Sequence, residues 1–144
     1  MPHLKLEIAQ AMVARALKIG RDKKFKPLAV AVYDARGALK ALAAEDGASN
    51  KRAEIAMGKA HGALALSVGS RAIHKMALDR PYFVAAATHA VGGALIPAAG
   101  GVLIKDGQGT ILGAVGVSGD TSDNDEIAAA AAIEAAGFVF DAGA

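Results

Sequence analysis

A β-hairpin is encoded between residues 100 and 120. Two short apolar runs, Val102–Ile104 and Ile111–Val117, flank a turn-rich hexamer that contains the pair Asp106-Gly107. Asp-Gly between two β-prone runs is a strong hairpin signal, because glycine adopts the positive φ that a tight turn requires. The fold is therefore predicted to contain antiparallel strands.

A helix is predicted directly after this hairpin. Ser122 precedes Asp125 by three residues, which resembles a capping box with Asp in place of the usual Glu or Gln. Acidic residues in this first turn suit the positive end of a helix dipole. We therefore predict a helix from about Asp123 to Ala136, ended by Gly137, with the apolar residues 138–140 packing behind it as an anchor.

The first hundred residues predict a second hairpin and further helices. Apolar residues recur about every 3.6 positions from Leu4 to Lys24, which indicates a helix. The run 28–33, a turn at 34–37 and a returning run at 38–44 indicate a hairpin. The remaining predictions are helices at 52–66 and 71–78, a helix or an extended segment at 82–89, and a loop at 90–99 with one short strand at 94–96.

Two hairpins with helices grouped around them favour an α+β fold with an antiparallel sheet. The length of 144 residues fits one domain, residues 1–144. Hydrophobic residues make up 53% of the chain but aromatic residues only 4%. The core is therefore expected to consist of small aliphatic side chains, so that its elements pack closely.

Composition excludes several classes of function. The chain has no cysteine, which rules out disulfides, thiolate zinc sites and iron–sulfur clusters. The net charge of +2 is too small to predict nucleic-acid binding. No apolar run approaches the ~20 residues of a membrane helix, and the N-terminus lacks the features of a signal peptide. We therefore expect a cytoplasmic protein that binds neither nucleic acid nor a membrane.

Glycines form two patterns that the sequence leaves open. Gly58 and Gly62 lie four residues apart in a predicted helix, where glycine is costly. They indicate either close approach of another backbone, such as a helix of a second subunit, or simply a weak helix. Gly113, Gly116 and Gly119 lie largely within a predicted strand and indicate either tight packing or backbone that faces a ligand.

The second hairpin and the helix start carry a family resemblance. The segments GGVLI at 100–104 and GAVGVSG at 113–119, followed by Asp125-Glu126, resemble the closing motif of the GlcG/HbpS-like haem-binding and haem-degrading family. The C-terminal domain of PduO-type corrinoid adenosyltransferases belongs to the same family. Leu103 stands where proline is usual there. The family's R-M-D-G-A segment appears as residues 44–48 without its arginine.

The resemblance implies a profilin-like, five-stranded antiparallel sheet with flanking helices. It also implies a homo-oligomer and a tetrapyrrole ligand, which would be haem or a corrinoid such as cobalamin. Haem iron takes an axial His, Met, Cys or Tyr. Members of the family do not all use the same ligand, so the resemblance assigns no axial ligand to this chain.

His89 is the predicted axial ligand and metal-binding residue. It lies in a Gly-rich segment, 88–93, that leads into the second hairpin, and such loops often carry sites. An ordinary loop histidine is the competing interpretation. His3 is expected to be solvated, His61 to be packed and His74 to lie on the surface.

Five further residues are predicted to bind the cofactor. Lys59 could neutralise a haem propionate, or it could pair with a neighbouring residue. Arg71 and Arg80 are candidate anion clamps, because a guanidinium pairs bidentately with a carboxylate. Gly100 and Gly101 would form the edge of the pocket.

The sequence leaves two other functions open. The first is a cofactor-independent lyase or isomerase that acts on an aromatic or carboxylated substrate in a pocket between subunits. Arg71 or Arg80 would bind the anion, and His89 or Glu126 would be the catalytic acid or base. The second is an assembly domain with no ligand, in which the helix at 52–66 and the apolar residues 138–140 form subunit contacts. For Asp125 and Glu126, helix capping is the competing interpretation.

Overall fold

The structure is a computed structural model, and it describes residues 4–144. Five helices and five strands follow one another along these residues. In chain order they are α1 (Leu6–Asp22), β1 (Ala29–Asp34), β2 (Leu39–Ala44), α2 (Arg52–Leu66), α3 (Ser70–Asp79), α4 (Pro81–Ala90), β3 (Gly101–Lys105), β4 (Ile111–Ser118), α5 (Ser122–Ala135) and β5 (Val139–Asp141).

The strands form one antiparallel sheet in the order β2-β1-β4-β3-β5. Both predicted hairpins are present, as β1–β2 and β3–β4, and their inner strands β1 and β4 pair with each other. Every residue of β1 is buried, as expected for a strand covered on both faces. The predicted α+β fold with a five-stranded antiparallel sheet and flanking helices is confirmed.

Helices α1 and α5 cover one face of the sheet. Alternate strand residues such as Val30, Val32 and Val115 point to this face, because side chains along a strand alternate between its two sides. They pack against Met12 of α1 and Ile133 of α5, both fully buried. This face holds the largest group of buried aliphatic side chains among residues 4–144.

Helix α2 covers the other face and lies directly on the sheet. A Cβ atom on Gly116 would overlap the carbonyl oxygen of Ala56, and one on Gly101 would overlap the carbonyl oxygen of Lys59. A Cβ on Gly113 would overlap the carbonyl oxygen of Tyr33 in the neighbouring strand β1. These strand glycines therefore serve tight packing, which is one of the two interpretations that the sequence left open.

Gly58 and Gly62 also mark a close approach. A Cβ on Gly58 would lie 2.6 Å from Cγ1 of Ile96, and one on Gly62 would lie 3.1 Å from Cα of Leu95. The backbone N–H of Ile96 donates to the carbonyl of Gly58 at 3.2 Å. The segment that packs closely against these two glycines is therefore residues 94–98 of the same chain. No second subunit is needed to explain the glycines.

Two local predictions differ from the structure. Residues 94–96 form no strand, and the fifth strand is instead β5, in which Phe140 pairs with Ile104. The N-cap of α5 is Thr121, whose hydroxyl accepts the N–H of Asn124 at 3.1 Å, so Ser122 is not the cap. His3 lies outside the described residues.

Candidate functional site

Helix α4 is the most peripheral helix of the described fold. Pro81 occupies its first turn, where a missing N–H costs nothing. Val84 is its one buried residue and packs with Ile73 and Leu95. The helix is therefore held along a single line of contact, and most of its surface faces outward.

The outward surface of α4 is apolar and carries one imidazole. Tyr82 is 73% exposed and His89 is exposed, and the residues between them on this side are Ala85 and Ala86. Seven residues span two helical turns, so Tyr82 and His89 share one side of the helix about 10 Å apart along its axis. We call this surface, Tyr82, Ala85, Ala86 and His89, the α4 face.

His89 lies in the last turn of α4, so its predicted position in a flexible loop was wrong. Its carbonyl accepts the N–H of Gly92 at 3.1 Å. Within residues 4–144 its imidazole forms no hydrogen bond. Both ring nitrogens are therefore open to an incoming ligand or metal.

Arg80 precedes α4 and lies at the N-terminal end of the α4 face. Its guanidinium carbon lies 5.0 Å from the ring centroid of Phe83, a cation–π contact. Its Nε lies 3.8 Å from the carboxylate of Asp79, and the Arg80 side chain is 47% exposed. Such an exposed, long ion pair contributes little, so Arg80 can turn to an anionic ligand.

Arg71 and Glu126 do not lie on α4 but pair with each other between α3 and α5. Arg71 Nε donates to Glu126 Oε1 at 3.0 Å and Nη2 donates to Oε2 at 3.0 Å, a bidentate contact. Nη2 also donates to Asp123 at 2.5 Å. The hydrogen bonds that Arg71 donates to Glu126 and Asp123 raise its pKa further above its ordinary value. A substrate anion would have to displace two carboxylates to reach this guanidinium.

The cleft beside Arg71 is small. It measures about 140 Å³ and is lined by Arg71, His74, Ala98, Ala99, Ser122 and Asp123. Ligand pockets usually measure about 300–1,000 Å³. An enzyme that uses Arg71 and Glu126 on an aromatic acid is therefore not favoured by this geometry.

Lys59 is buried rather than exposed to solvent. Its Nζ lies 3.1 Å from Asp125 Oδ2 and donates to the carbonyl of Val117 at 3.0 Å. Burial lowers the pKa of Lys59 and raises the pKa of Asp125, while the attraction between the two charges opposes both shifts. Of the two roles considered for Lys59, the structure therefore shows pairing with another residue.

Gly100 and Gly101 lie beside this buried pair. A Cβ on Gly100 would lie 2.9 Å from Nζ of Lys59, and the backbone there has a φ of +126°. The N–H of Gly101 donates to Oγ of Ser70 at 2.7 Å. Both glycines are buried and shape the junction of α2 with the sheet, away from the α4 face.

The other described histidines have internal partners. His61 Nδ1 lies 2.9 Å from the carbonyl oxygen of Ala94, and its ring meets Tyr33 edge-on at 6.0 Å. His74 is exposed on α3, with Nδ1 3.2 Å from the carbonyl oxygen of Pro97. His61 is thus the packed histidine and His74 the surface histidine that the sequence predicted.

The structure divides the predicted site residues into two groups. Arg80 and His89 lie at the two ends of α4, whereas the other five lie at the junction of α2, α3, α5 and the sheet. That second group consists of Lys59, Arg71, Gly100, Gly101 and Glu126. Tyr82 was not among the predicted residues, although its spacing of seven from His89 places both on one side of a helix.

The chain matches a known family over most of its length. The sequence model described as "Haem degrading protein HbpS-like" matches residues 4–134. Among curated proteins, none matches the chain. Among residues 4–144, no helix has the length and apolar character that crossing a membrane requires.

Solved structures share the fold. The PduOC:heme complex has a TM-score of 0.83 at 20% identity and covers 95% of this chain and 97% of its own. A crystal structure of HbpS has a TM-score of 0.78 at 26% identity, over 94% of this chain and 90% of its own. The protein ORFY of Klebsiella pneumoniae has a TM-score of 0.81 at 24% identity, over 95% and 93%.

Proposed function

Because the chain belongs to the HbpS-like family of haem-degrading proteins, we propose that it binds haem on the α4 face, with His89 as the axial ligand. The observation that carries this proposal is the exposed imidazole at one end of a flat, alanine-lined helix surface with Tyr82 at the other. The PduOC structure is a haem complex, which supports haem rather than cobalamin as the ligand.

The alanines matter because a porphyrin is flat. Ala85 and Ala86 leave the space beside the imidazole of His89 open for a planar ring, since neither side chain extends beyond its Cβ. Tyr82 offers an aromatic ring against which part of the porphyrin can pack. Burial of these apolar groups would supply the non-directional part of the affinity.

Arg80 supplies the charge that a haem ligand needs. Haem carries two propionates. Arg80 is the last residue before α4, and its guanidinium would give up only the 3.8 Å contact with Asp79 and the contact with the ring of Phe83. A guanidinium can hold a carboxylate through two parallel hydrogen bonds. Lys59 and Arg71 already have buried or bidentate partners, so Arg80 is the cation best placed for a propionate.

Bound haem would supply the redox chemistry of its iron, and the chain would supply binding, orientation and one axial ligand. A single helix surface covers only one side of the ring. We therefore expect a second copy of the chain to cover the other side, in agreement with the homo-oligomer that the resemblance implies.

The proposal is tested by titrating the purified protein with hemin and following the Soret band. A sharp, saturable, shifted band is expected, and His89→Ala should remove it. His74→Ala, a matched change at another exposed histidine, should leave the titration unchanged. If His89→Ala and the unaltered chain give the same spectrum and affinity, His89 is not the ligand.

A second variant tests the α4 face without changing the ligand. Ala86→Glu would place a long anionic side chain between Tyr82 and His89, and we expect it to prevent saturable hemin binding. Ala65→Glu, at an exposed position of α2, is the matched control. Equal binding by both variants would show that hemin uses another surface.

A further inference from the structure

A cleft whose lining residues are distant in sequence from α4 belongs to no predicted site. It measures about 480 Å³, within the usual range of ligand pockets. It lies between the C-terminal end of α1, the loop after it and the end of β2. Its lining residues are Leu17, Arg21, Phe25, Pro27, Ala44, Glu45 and Asp46.

The walls of this cleft are fixed by Glu45. Its Oε1 accepts the N–H of Leu28 at 2.8 Å, and its own N–H donates to the carbonyl of Leu28 at 2.9 Å. The side chain is only 13% exposed. A carboxylate in this position cannot move away from the cleft without giving up a backbone partner, and it needs a cation beside it.

Arg21 is the present cation partner of Glu45, and it can be replaced. Arg21 Nη2 lies 2.5 Å from Glu45 Oε2, but the Arg21 side chain is 68% exposed. Because most of the Arg21 side chain lies in solvent, its guanidinium can leave Glu45 when another cation takes its place. A ligand cation could therefore replace Arg21 on Glu45.

The charge and surface of the lining select the ligand class. The lining contains two carboxylates, Glu45 and Asp46, and one guanidinium, Arg21, so it carries a net charge of −1. The lysines of the same loop do not line the cleft. The remaining wall is apolar and includes the ring of Phe25, which attracts a cation as well as an apolar group.

We propose that this cleft binds an organic amine with an aromatic or compact branched body, whose ammonium group replaces Arg21 on Glu45. The apolar body would lie against Leu17, Phe25 and Pro27. This site shares no residue with the α4 face, so amine binding in the cleft can be tested independently of haem binding.

The test uses 2-phenylethylamine as the cationic probe and 3-phenylpropionate as the matched anion with the same ring and linker. Amide shifts of the ¹⁵N-labelled protein are followed by two-dimensional NMR. We expect the amine to give saturable shifts at Leu28, Glu45 and Asp46, and the carboxylate to give none. Equal shifts with both probes, or no shifts with the amine, would overturn the proposal.

Two variants should respond in opposite directions. Arg21→Gln removes the competing cation and should tighten amine binding about threefold, whereas Asp46→Asn removes a charge of the lining and should weaken it about threefold, the size of an exposed ion pair. Asp79→Asn, an 83%-exposed carboxylate on α3, should change nothing. Weaker amine binding by Arg21→Gln would mean that Arg21 helps to bind the amine and does not compete with it. The proposed replacement of Arg21 by the ammonium group would then be wrong.

Discussion

Lys59 Nζ lies 3.1 Å from Asp125 Oδ2, and the two side chains are only 3% and 2% exposed. The pair joins α2 to α5 at one end of the sheet, across 66 positions of sequence. Lys59 also donates to Val117, and Asp125 accepts the N–H of Asp120 at 2.9 Å, so both charges are hydrogen-bonded beyond their mutual contact. The pair thus connects the helices on opposite faces of the sheet.

Lys59→Met should be strongly destabilising. It leaves the carboxylate of Asp125 buried without its cation, which typically costs about 3–5 kcal/mol. Urea unfolding followed by circular dichroism measures the loss. Lys18→Met breaks an exposed pair with Asp22 and should cost less than about 0.5 kcal/mol.

The double variant Lys59→Met with Asp125→Asn should recover part of that loss, because neither residue then carries a charge and Asn can still accept the N–H of Asp120. If the single and double variants unfold at the same urea concentration, the uncompensated charge is not the cause of the destabilisation.

Gly116→Ala should disturb the contact between α2 and the sheet. The added Cβ would overlap the carbonyl oxygen of Ala56, a backbone atom that can yield only if the helix shifts. Overpacking of this kind costs about 1–3 kcal/mol or more, and thermal unfolding should show it as a lower Tm. Gly107→Ala, which meets no atom within 4 Å, is the control, and an equal loss there would contradict the argument.

Acid should weaken the junction between the α1–β1 loop and α5 through Asp120. Its carboxylate accepts the backbone N–H of Lys26 at 2.6 Å and that of Thr121 at 2.8 Å, and these bonds hold the pKa of Asp120 below its ordinary value of 3.8. The unfolded state then binds a proton more readily than the folded state. The stabilisation is therefore complete above that ordinary value and is lost as the pH falls below it.

Asp120→Asn should reduce this acid dependence, measured as the difference in urea midpoint between pH 6 and pH 3. Asp34 and Asp141 also have lowered pKa values, so part of the dependence remains, and Asp125, with its raised pKa, acts in the opposite direction. Asp79→Asn is the control. An Asp120→Asn variant as acid-sensitive as the unaltered chain would refute the role of Asp120.

Arg80→Gln should weaken hemin binding about three- to tenfold, the effect of losing one partly exposed guanidinium–carboxylate contact. The position of the Soret band should not change, because His89 would still bind the iron. Arg71→Gln should leave both affinity and spectrum unchanged, since Arg71 is held by Glu126. If Arg71→Gln weakened hemin binding and Arg80→Gln did not, hemin would bind in the cleft beside Arg71 instead.

Local signals predicted most of the fold. The Asp-Gly pair predicted the β3–β4 turn, but the glycine with a positive φ in that turn is Gly109, at +83°, and not Gly107. The turn at 34–37 closes as predicted, with Gly37 at a φ of +82° and its N–H donated to the carbonyl of Asp34. Such features depend on residues that are close in sequence, which is why they can be recognised from it. The strand expected at 94–96 failed because the backbone there pairs with Gly58 of α2 instead.

The candidate site was less predictable for the same reason. His89 and Arg80 were both predicted as site residues, but their common position on α4 depended on residues 82–89 being a helix, which the sequence left undecided. Tyr82 became part of the site only through that helix. The cleft next to Glu45 was not predicted, since its walls come from the end of α1 and the end of β2.

Periodicity, glycine positions and turn residues specify which segments are helices and strands, because these preferences act over a few neighbouring residues. The partners of the charged side chains are not specified by neighbouring residues in the sequence. Lys59 meets Asp125 across 66 positions and Arg71 meets Glu126 across 55, and no local pattern encodes either contact. Packing of the helices on the sheet decides which cations are already neutralised, and so leaves Arg80 and His89 open to a ligand.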